Sequence, residues 1–469
     1  MSIKIKNEHA AMVATIVIIE FISGFTQGFY EPLIPKFGEA MGVDASGLQL
    51  FNVIPTAIAA LFVPLLTRLG DIKGYRKLLR VVIPMVFAAT IVILLGTVFN
   101  SWALVLVGRV LNGPIAVWLP LHIALVHSKS EGKSAVTAVS AIVATMTFGT
   151  VIGTASSGFL FEAFNALPAT VAIIPGLQLI AVLLIVFVMP EFVSGADSHI
   201  DKLGFILLGI IMLLAIFGFV EVVEGGMESA VGAALIIAAL IVGVFWFRYQ
   251  KRIEHPAIDV NIMFSRRMFP LYIGAICYGA VFYGFMSPTA TFLAADPAQL
   301  GYGFAFEPSS ISLAQTSILI ATVIAALIVP LLVKSLKPKA TLILGFVLSA
   351  GAFAQWAVPG VTFVNLIIFV VLSGLGLGIV SAAIPVIIPE RATKDTKGIA
   401  TGLFNSSQTL GGALGGGLFV SLLKVGATPA GVITAIGYTT VWATCAGILI
   451  LGLIVVAIFL VKDASQKQA

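Results

Sequence analysis

Two carboxylates in one apolar run invite the first chemical reading. Glu20 and Glu31 lie eleven residues apart, within about 20° of whole turns on an α-helix. Gln27 falls close to the same line, as do Ser23 and Gly24, so these residues form one polar stripe. Arg109 is the basic residue inside another apolar run. A charge inside hydrocarbon costs about 2.5–3.5 kcal/mol even on the lenient insertion scale, so such residues tend to mark ion or proton pathways. The chemistry on offer is proton exchange. Arg109 is expected to pair with Glu20 or Glu31, with protonation of the carboxylate releasing the pair; a static pair that fixes helix packing is the alternative. Further polar and aromatic residues in apolar runs are candidates to line a substrate cavity. These are Gln27, Asn112, Trp118 and His122 in the first part of the chain, then Tyr278, Phe282, Tyr283, Gln315, Asn405 and Gln408. Such aromatic surfaces suit bulky apolar organic molecules.

The elements that position these residues follow from composition. Of 469 residues, 59% are hydrophobic and only 10% charged, against roughly 25% in soluble domains. That excludes a soluble enzyme, a disordered chain and a disulfide scaffold. Fourteen mostly apolar runs approach the roughly 20 residues a helix needs to cross a bilayer: 11–31, 51–69, 81–98, 103–126, 135–161, 171–189, 204–223, 231–247, 269–294, 310–333, 341–358, 365–388, 398–423 and 433–461. They do not alternate as barrel strands would, so the fold class is an all-α polytopic membrane protein with fourteen transmembrane helices. The first run is too long for a signal-peptide core and is expected to remain attached. Cys277 and Cys445 lie inside apolar runs and imply no disulfide framework.

Orientation follows from Lys and Arg. With both termini in the cytoplasm, 23 of the 26 basic residues fall on the cytoplasmic side. Only Lys36 and Lys424 lie outside, and Arg109 lies within a span. The pattern never inverts, as it would after a miscounted helix. The net charge of +5 therefore reads as a topology signal, and no nucleic-acid partner is expected. Glu221 and Glu224, at the outer end of the seventh run, read as interfacial.

The chain also repeats itself weakly. Pro120 precedes Lys133 by 13 residues and Pro385 precedes Lys397 by 12. The basic loops at 68–80 and 334–339 correspond in the same way. This divides the chain into a six-helix bundle over 1–190, a central two-helix insertion with linkers over 191–268, and a second six-helix bundle over 269–469. Related halves are a common transporter plan. Gly149, Gly153 and Gly158 are expected to pack helices closely. Pro55, Pro64, Pro120, Pro385 and Pro389 free backbone carbonyls and can bend helices.

Four segments carry a resemblance. The loop Thr67-Arg-Leu-Gly-Asp71-Ile-Lys-Gly74-Tyr-Arg76-Lys77 looks like the loop signature of the major facilitator superfamily. Gly108-Arg109-Val-Leu-Asn112-Gly113 is close to a Gly-Arg-x-x-Gln-Gly pattern. The stretch from Glu254 to Phe269 and that from Gly398 to Gly415 look like segments of its fourteen-helix drug:proton antiporters. The chain therefore resembles that group over nearly its whole length. The resemblance implies alternating access, with Asp71, Gly74, Arg76 and Lys77 as a cytoplasmic gating loop. Two departures stand out. Thr154 occupies the place of a signature proline, and Thr26 aligns with an acidic position of the first helix. The leading reading is proton-coupled export of amphipathic drugs or related organic compounds. The alternative is a carrier for an organic anion, metabolite or lipid by facilitation or symport. The sequence contains no Gly-x-Ser-x-Gly, His-Glu-x-x-His, Walker loop or cysteine cluster, so no enzyme, metal or cofactor is expected. The expected setting is a bacterial cell membrane, with the protein a monomer that handles protons and a small-molecule substrate.

Overall fold

The computed structural model describes residues 2–127, 132–189, 201–224, 229–254, 256–392, 397–428 and 431–460. Lys129, Glu131, Lys394, Asp395, Lys462 and Lys467 lie outside them. So do the side chains of Lys4, Lys6, Asp71, Lys133, Glu224 and Lys397. The described chain is helical and divides into two compact units. The first comprises Met1–Phe205, Ser287–Gln299 and Gly303–Thr316; the second comprises Ile206–Met286, Leu300–Tyr302 and Ser317–Ala469.

The first unit is built from α1 (Ser2–Phe29), α2 (Ile34–Met41), α3 (Ala45–Lys73), α4 (Tyr75–Val98) and α5 (Trp102–Asn112). It continues with α6 (Trp118–His127), α7 (Gly132–Phe164), α8 (Leu167–Val171) and α9 (Ile173–Leu183). α10 (Lys202–Glu224) leads into the second unit. There follow α11 (Ala230–Gln250), α12 (Val260–Met263) and α13 (Phe269–Phe282). α14 (Met286–Ala294), α15 (Pro297–Leu300) and α16 (Pro308–Leu336) each contribute residues to both units. α17 (Pro338–Trp356), α18 (Phe363–Arg391), α19 (Lys397–Leu423) and α20 (Ala435–Phe459) complete the second unit.

Twelve helical segments among the described residues are long and apolar enough to cross a bilayer. Of the fourteen apolar runs, those over α10 and α19 are not in that set. The described apolar part of α10, Lys202–Ala215, is short. α19 is 27 residues long, but its Gly, Ser, Thr, Asn and Gln residues dilute its apolar character.

Three runs expected as single helices are interrupted. The first bends after Phe29 into a 3-10 turn at Glu31–Leu33, where Pro32 cannot return an N–H to Gly28. The fourth breaks into α5, a 3-10 turn at Gly113–Val117 and α6; Pro114 and Pro120 each lack the N–H that would continue the ladder. The ninth breaks between α13 and α14, where Pro288 cannot bond Gly284. Helix ends carry the expected caps. Asp44 accepts from Gly47 N at 2.7 Å, and Thr362 with Asn365 forms a reciprocal capping box. Gly74, at φ +94°, makes the sharp turn between α3 and α4 that a Cβ would oppose.

Within the first unit α1 packs along α7, and within the second α13 packs along α19. Both contacts are made by glycine against backbone. A Cβ at Gly24 or Gly28 would run into the carbonyls of Met146 or Thr150, and one at Gly149 or Gly153 into those of Phe21 or Phe25. The second unit repeats the device: Gly279 meets Gln408, while Gly411 and Gly415 meet Ile276 and Ala280. Without a hydrophobic drive between helices in lipid, this close van der Waals approach supplies much of the association.

Candidate functional site

Two polar clusters occupy the first unit. The first is centred on Arg109, whose side chain is buried between α3 and α5. Its Nε donates to Phe51 O at 2.8 Å. Pro55, four residues after Phe51 on α3, has no N–H for that carbonyl, which leaves the acceptor that Arg109 takes. One terminal nitrogen donates to Asn112 Oδ1 at 3.3 Å and the other lies 3.5 Å from Asn52 Oδ1. Asn52 Nδ2 in turn donates to Glu31 Oε2 at 3.1 Å. The guanidinium carbon stands 4.0 Å from the Phe51 ring centroid and 5.6 Å from that of Tyr30, within cation–π range.

The expected pairing of Arg109 with a glutamate is therefore corrected. Arg109 contacts Glu31 only through the Asn52 amide, and it does not pair with Glu20. The reason is geometric: a backbone acceptor and a stacking ring lie closer than either carboxylate. Tyr30 Oη and Asn112 Nδ2 are buried beside this array without hydrogen-bond partners.

The second cluster joins α1 to α6. Glu20 Oε1 lies 2.5 Å from His122 Nδ1, and both side chains are fully buried. Glu20 Oε2, His122 Nε2 and Trp118 Nε1 make no hydrogen bond. Trp118 and His122 stand one helical turn apart on α6, and Trp118 packs in an apolar core with Ile16, Ile19, Val86 and Leu121. The polar stripe on α1 is present: Ser23 is buried, and Gln27 Nε2 bonds Ser23 Oγ at 3.2 Å.

Thr154 and Thr26, at the two positions that depart from the antiporter pattern, are both engaged. Thr154 Oγ1 donates to Gly28 O at 3.1 Å, the carbonyl that Pro32 leaves unused. Thr26 Oγ1 accepts from Gln178 Nε2 at 2.8 Å. Arg80 donates to Val186 O at 2.8 Å, in the last turn of the helix that follows α9. At the far end of α7, Ser157 Oγ lies 3.3 Å from Ser312 Oγ, Gly158 abuts the Pro308 carbonyl, and Glu162 accepts from Ser309 N at 3.0 Å. Gln315 is fully buried on the same stretch of α16.

The remaining candidates lie elsewhere. In the second unit Tyr278 and Phe282 stack at 5.2 Å, and Phe282 meets Tyr283 edge-on at 5.4 Å. Gln408 Nε2 donates to Asn405 Oδ1 at 3.0 Å. Outside the spans, Tyr302 donates to Ile433 O at 3.2 Å, and burial raises its phenol above the ordinary range, which keeps it a donor. In the first turn of α4, just after Gly74, Arg76 is buried and Lys77 is exposed. Asn52, Phe51 O and the Glu20–His122 partnership were not singled out as such from the sequence. The spacing of a proline four residues after an acceptor was the available signal for Phe51 O.

Known proteins place this architecture. The sequence pattern of the Major Facilitator Superfamily matches residues 16–416 and, in a second alignment, 271–469. A uridine/deoxyuridine transporter of Lactococcus lactis subsp. cremoris is 24% identical over 270 residues, 56% of this chain and 55% of that one. The chain thus spans about half the length of that relative. A probable actinorhodin transporter of Streptomyces coelicolor is 27% identical over 428 residues, 84% of this chain and 69% of that one. The crystal structure of the nucleoside transporter NupG aligns with a TM-score of 0.66 at 16% identity, covering 96% of this chain and 100% of that one. An autoinhibited peptide transporter of the POT family gives a TM-score of 0.67 at 16% identity, covering 96% of each. At such identities these structures establish the fold alone. The matched family pattern spans most of the described helices, and so the chain belongs to the major facilitator superfamily: it is a multi-pass membrane transporter of small molecules and not an enzyme.

Proposed function

We propose that this transporter is a secondary active exporter that moves amphipathic organic compounds against protons by alternating access. The observation that carries this reading is the burial of ionisable groups, Glu20, His122 and Arg109, inside the membrane-length helices of one unit. Groups so placed are costly unless they serve a pathway or a proton relay. Glu20, Glu31 and Arg109 form the proton-handling set in this reading. The aromatic cluster of Tyr278, Phe282 and Tyr283, with Asn405, Gln408 and Gln315, supplies substrate contacts, together with Gln27 and Asn112. Asp71, Gly74, Arg76 and Lys77 act as the cytoplasmic gating loop.

The proposed topology counts α10 and α19 as spans, for fourteen in all. Both termini are cytoplasmic, with bundles over 1–190 and 269–469 and the insertion over 191–268 between them. The setting is a bacterial cell membrane and the protein acts as a monomer. The relative named as a probable actinorhodin transporter supports an organic cargo. A second reading, uptake of a nucleoside or related metabolite, is favoured by the uridine/deoxyuridine transporter relative. Purified protein in proteoliposomes with an internal pH dye separates the two. Ethidium-linked proton movement supports export. Uridine movement without an ethidium response supports the second reading.

A further inference from the structure

We propose that the transported proton is carried by the Glu20–His122 couple as a unit, with His122 as the residue that receives it. This deepens the proton-coupled reading and rests on it.

Three observations carry the inference. First, both side chains have no solvent exposure, and Nδ1 and Oε1 stand 2.5 Å apart, within hydrogen-bond distance. Second, the couple is not closed. A static buried pair survives by saturating its remaining donors and acceptors. Here Glu20 Oε2 and His122 Nε2 both lack a partner, which leaves one acceptor on each side of that hydrogen bond. Third, the couple sits within its two helices and not at their ends. Glu20 lies about 14 Å along α1 from Ala11, and His122 about 8 Å along α6 from His127.

The other titratable or charged groups on the elements packed against α1 and α6 lie toward helix ends among the described residues. α3 and α4, which pack on α6, carry Arg68, Lys73, Arg76, Lys77 and Arg80 around the turn at Gly74, and Arg80 donates to Val186 O. α6 adds only His127, which is exposed at its end. α7 adds Glu162, about 20 Å beyond the Gly149 contact with α1. α9 carries none, and the turn after α1 carries Glu31, about 16 Å along the chain axis. Arg109 is committed to Phe51 O, Asn112 and Asn52.

The step balances simply. In the unloaded couple a neutral imidazole donates its Nδ1–H to the Glu20 carboxylate, for a net charge of −1. Water delivers a proton to His122 Nε2, and the Nδ1 hydrogen passes to Glu20 Oε1. The imidazole is left neutral with its hydrogen on Nε2, and the carboxylic acid donates back to Nδ1. One proton has been bound, no other bond has changed, and the buried net charge is gone. Release is the reverse.

The test uses full-length protein in lipid nanodiscs with 15N-labelled imidazoles. The chain has five histidines, and H122Q identifies the relevant signal. The expected result is a pH step at which the His122 nitrogens exchange their protonated and unprotonated shifts. A protonated-carboxyl infrared band should rise over the same pH range and be absent in E20Q. A His122 signal that E20Q leaves unchanged overturns the proposal. In proteoliposomes, pH-driven ethidium movement should fall about a hundredfold in E20Q and in H122Q. The exchanged variant E20H/H122E should recover part of the pH-driven movement, which separates loss of the couple from loss of the fold. Full pH-driven movement in both single variants overturns the proposal. Wild-type protein that shows the coupled titration but no pH-linked ethidium movement overturns the export reading and leaves the proton site supported.

Discussion

The two units solve the same packing problem and then diverge in what they bury. In each, one long helix lies against another through glycines that meet backbone carbonyls: α1 on α7 in the first, α13 on α19 in the second. The charged side chains buried among the described residues, Glu20, Arg76, Arg109 and Asp201 with the titratable His122, all belong to the first unit. The second buries Ser, Thr and Gln, and its core is aromatic: Phe353, Phe369, Trp356 and Trp442 lie within 4.8–6.3 Å of a neighbouring ring centroid. One scaffold repeated twice thus buries charge in the first copy alone, beside an aromatic cluster of its own around Tyr30, Phe37 and Phe51. This is economical for a transporter. A buried charge needs rigid, dedicated partners, whereas a surface that accepts varied organic shapes needs adaptable apolar contact.

The largest test of that division is Arg109. Arg109→Ala leaves Phe51 O without its donor and Glu31 without a countercharge. The expected loss is about 3–5 kcal/mol, the cost of removing one member of a buried polar array. A thermal unfolding midpoint in detergent checks it. Arg109→Lys should recover only part, since an ammonium cannot fork to Asn52 and Asn112 while stacking on Phe51. A loss no larger than that of Phe353→Leu in the second unit would erase the contrast.

The glycines should behave alike in both units. Gly149→Leu and Gly411→Leu each force two backbones apart, at about 1–3 kcal/mol or more. The readout is the fraction of monodisperse protein after purification, compared with alanine at the same sites. A large effect at one and none at the other would show that only one helix pair is tightly held.

Much of this architecture was legible in the sequence. Apolar runs marked the helices because a backbone in lipid has no other way to satisfy its polar groups. Gly149 and Gly153 marked the α1–α7 seam, whereas Gly411 and Gly415 on the α13–α19 seam were not singled out. The stripe on α1 was visible because helical geometry puts Glu20, Ser23, Gln27 and Glu31 on one side. The partners of those residues were not legible. Depth along a helix placed Arg109 between the two glutamates, but it gave no account of Asn52 standing between Arg109 and Glu31. Nor did it show the Phe51 carbonyl freed by Pro55. His122 was visible only as a candidate cavity residue thirteen positions after Arg109. The 3-10 turn at Gly113–Val117 re-phases α6 relative to α5, so face assignment by 100° steps fails across it. Thr154 reads as a lost proline until Pro32 is seen to leave Gly28 O for its hydroxyl.

That last contact gives a smaller effect. Thr154→Val keeps the shape and removes the donor to Gly28 O. The expected cost is about 1 kcal/mol, read as a small drop in the unfolding midpoint. Thr154→Ser should be nearly neutral. If Thr154→Val is neutral too, the bend after α1 is held by Pro32 and the α7 contact alone.

The smallest expected effect on stability is also the one that bears most directly on cargo. Phe282 is half-buried and stacks on Tyr278 on one side while meeting Tyr283 on the other. Phe282→Ala removes a ring that contributes about 0.5–1.5 kcal/mol in such pairs beyond its area. If that face binds cargo, the apparent affinity for ethidium should fall by up to about tenfold, since about 1.4 kcal/mol is one decade. The pH profile of transport should stay fixed, because the ionisable groups invoked for coupling lie in the other unit. Phe282→Tyr keeps the ring and should restore the affinity. A shifted pH profile in Phe282→Ala would mean that the aromatic cluster and the buried charges titrate together. The separation of the buried charges from the Tyr278–Tyr283 aromatic cluster would then describe where the side chains sit and not how they work.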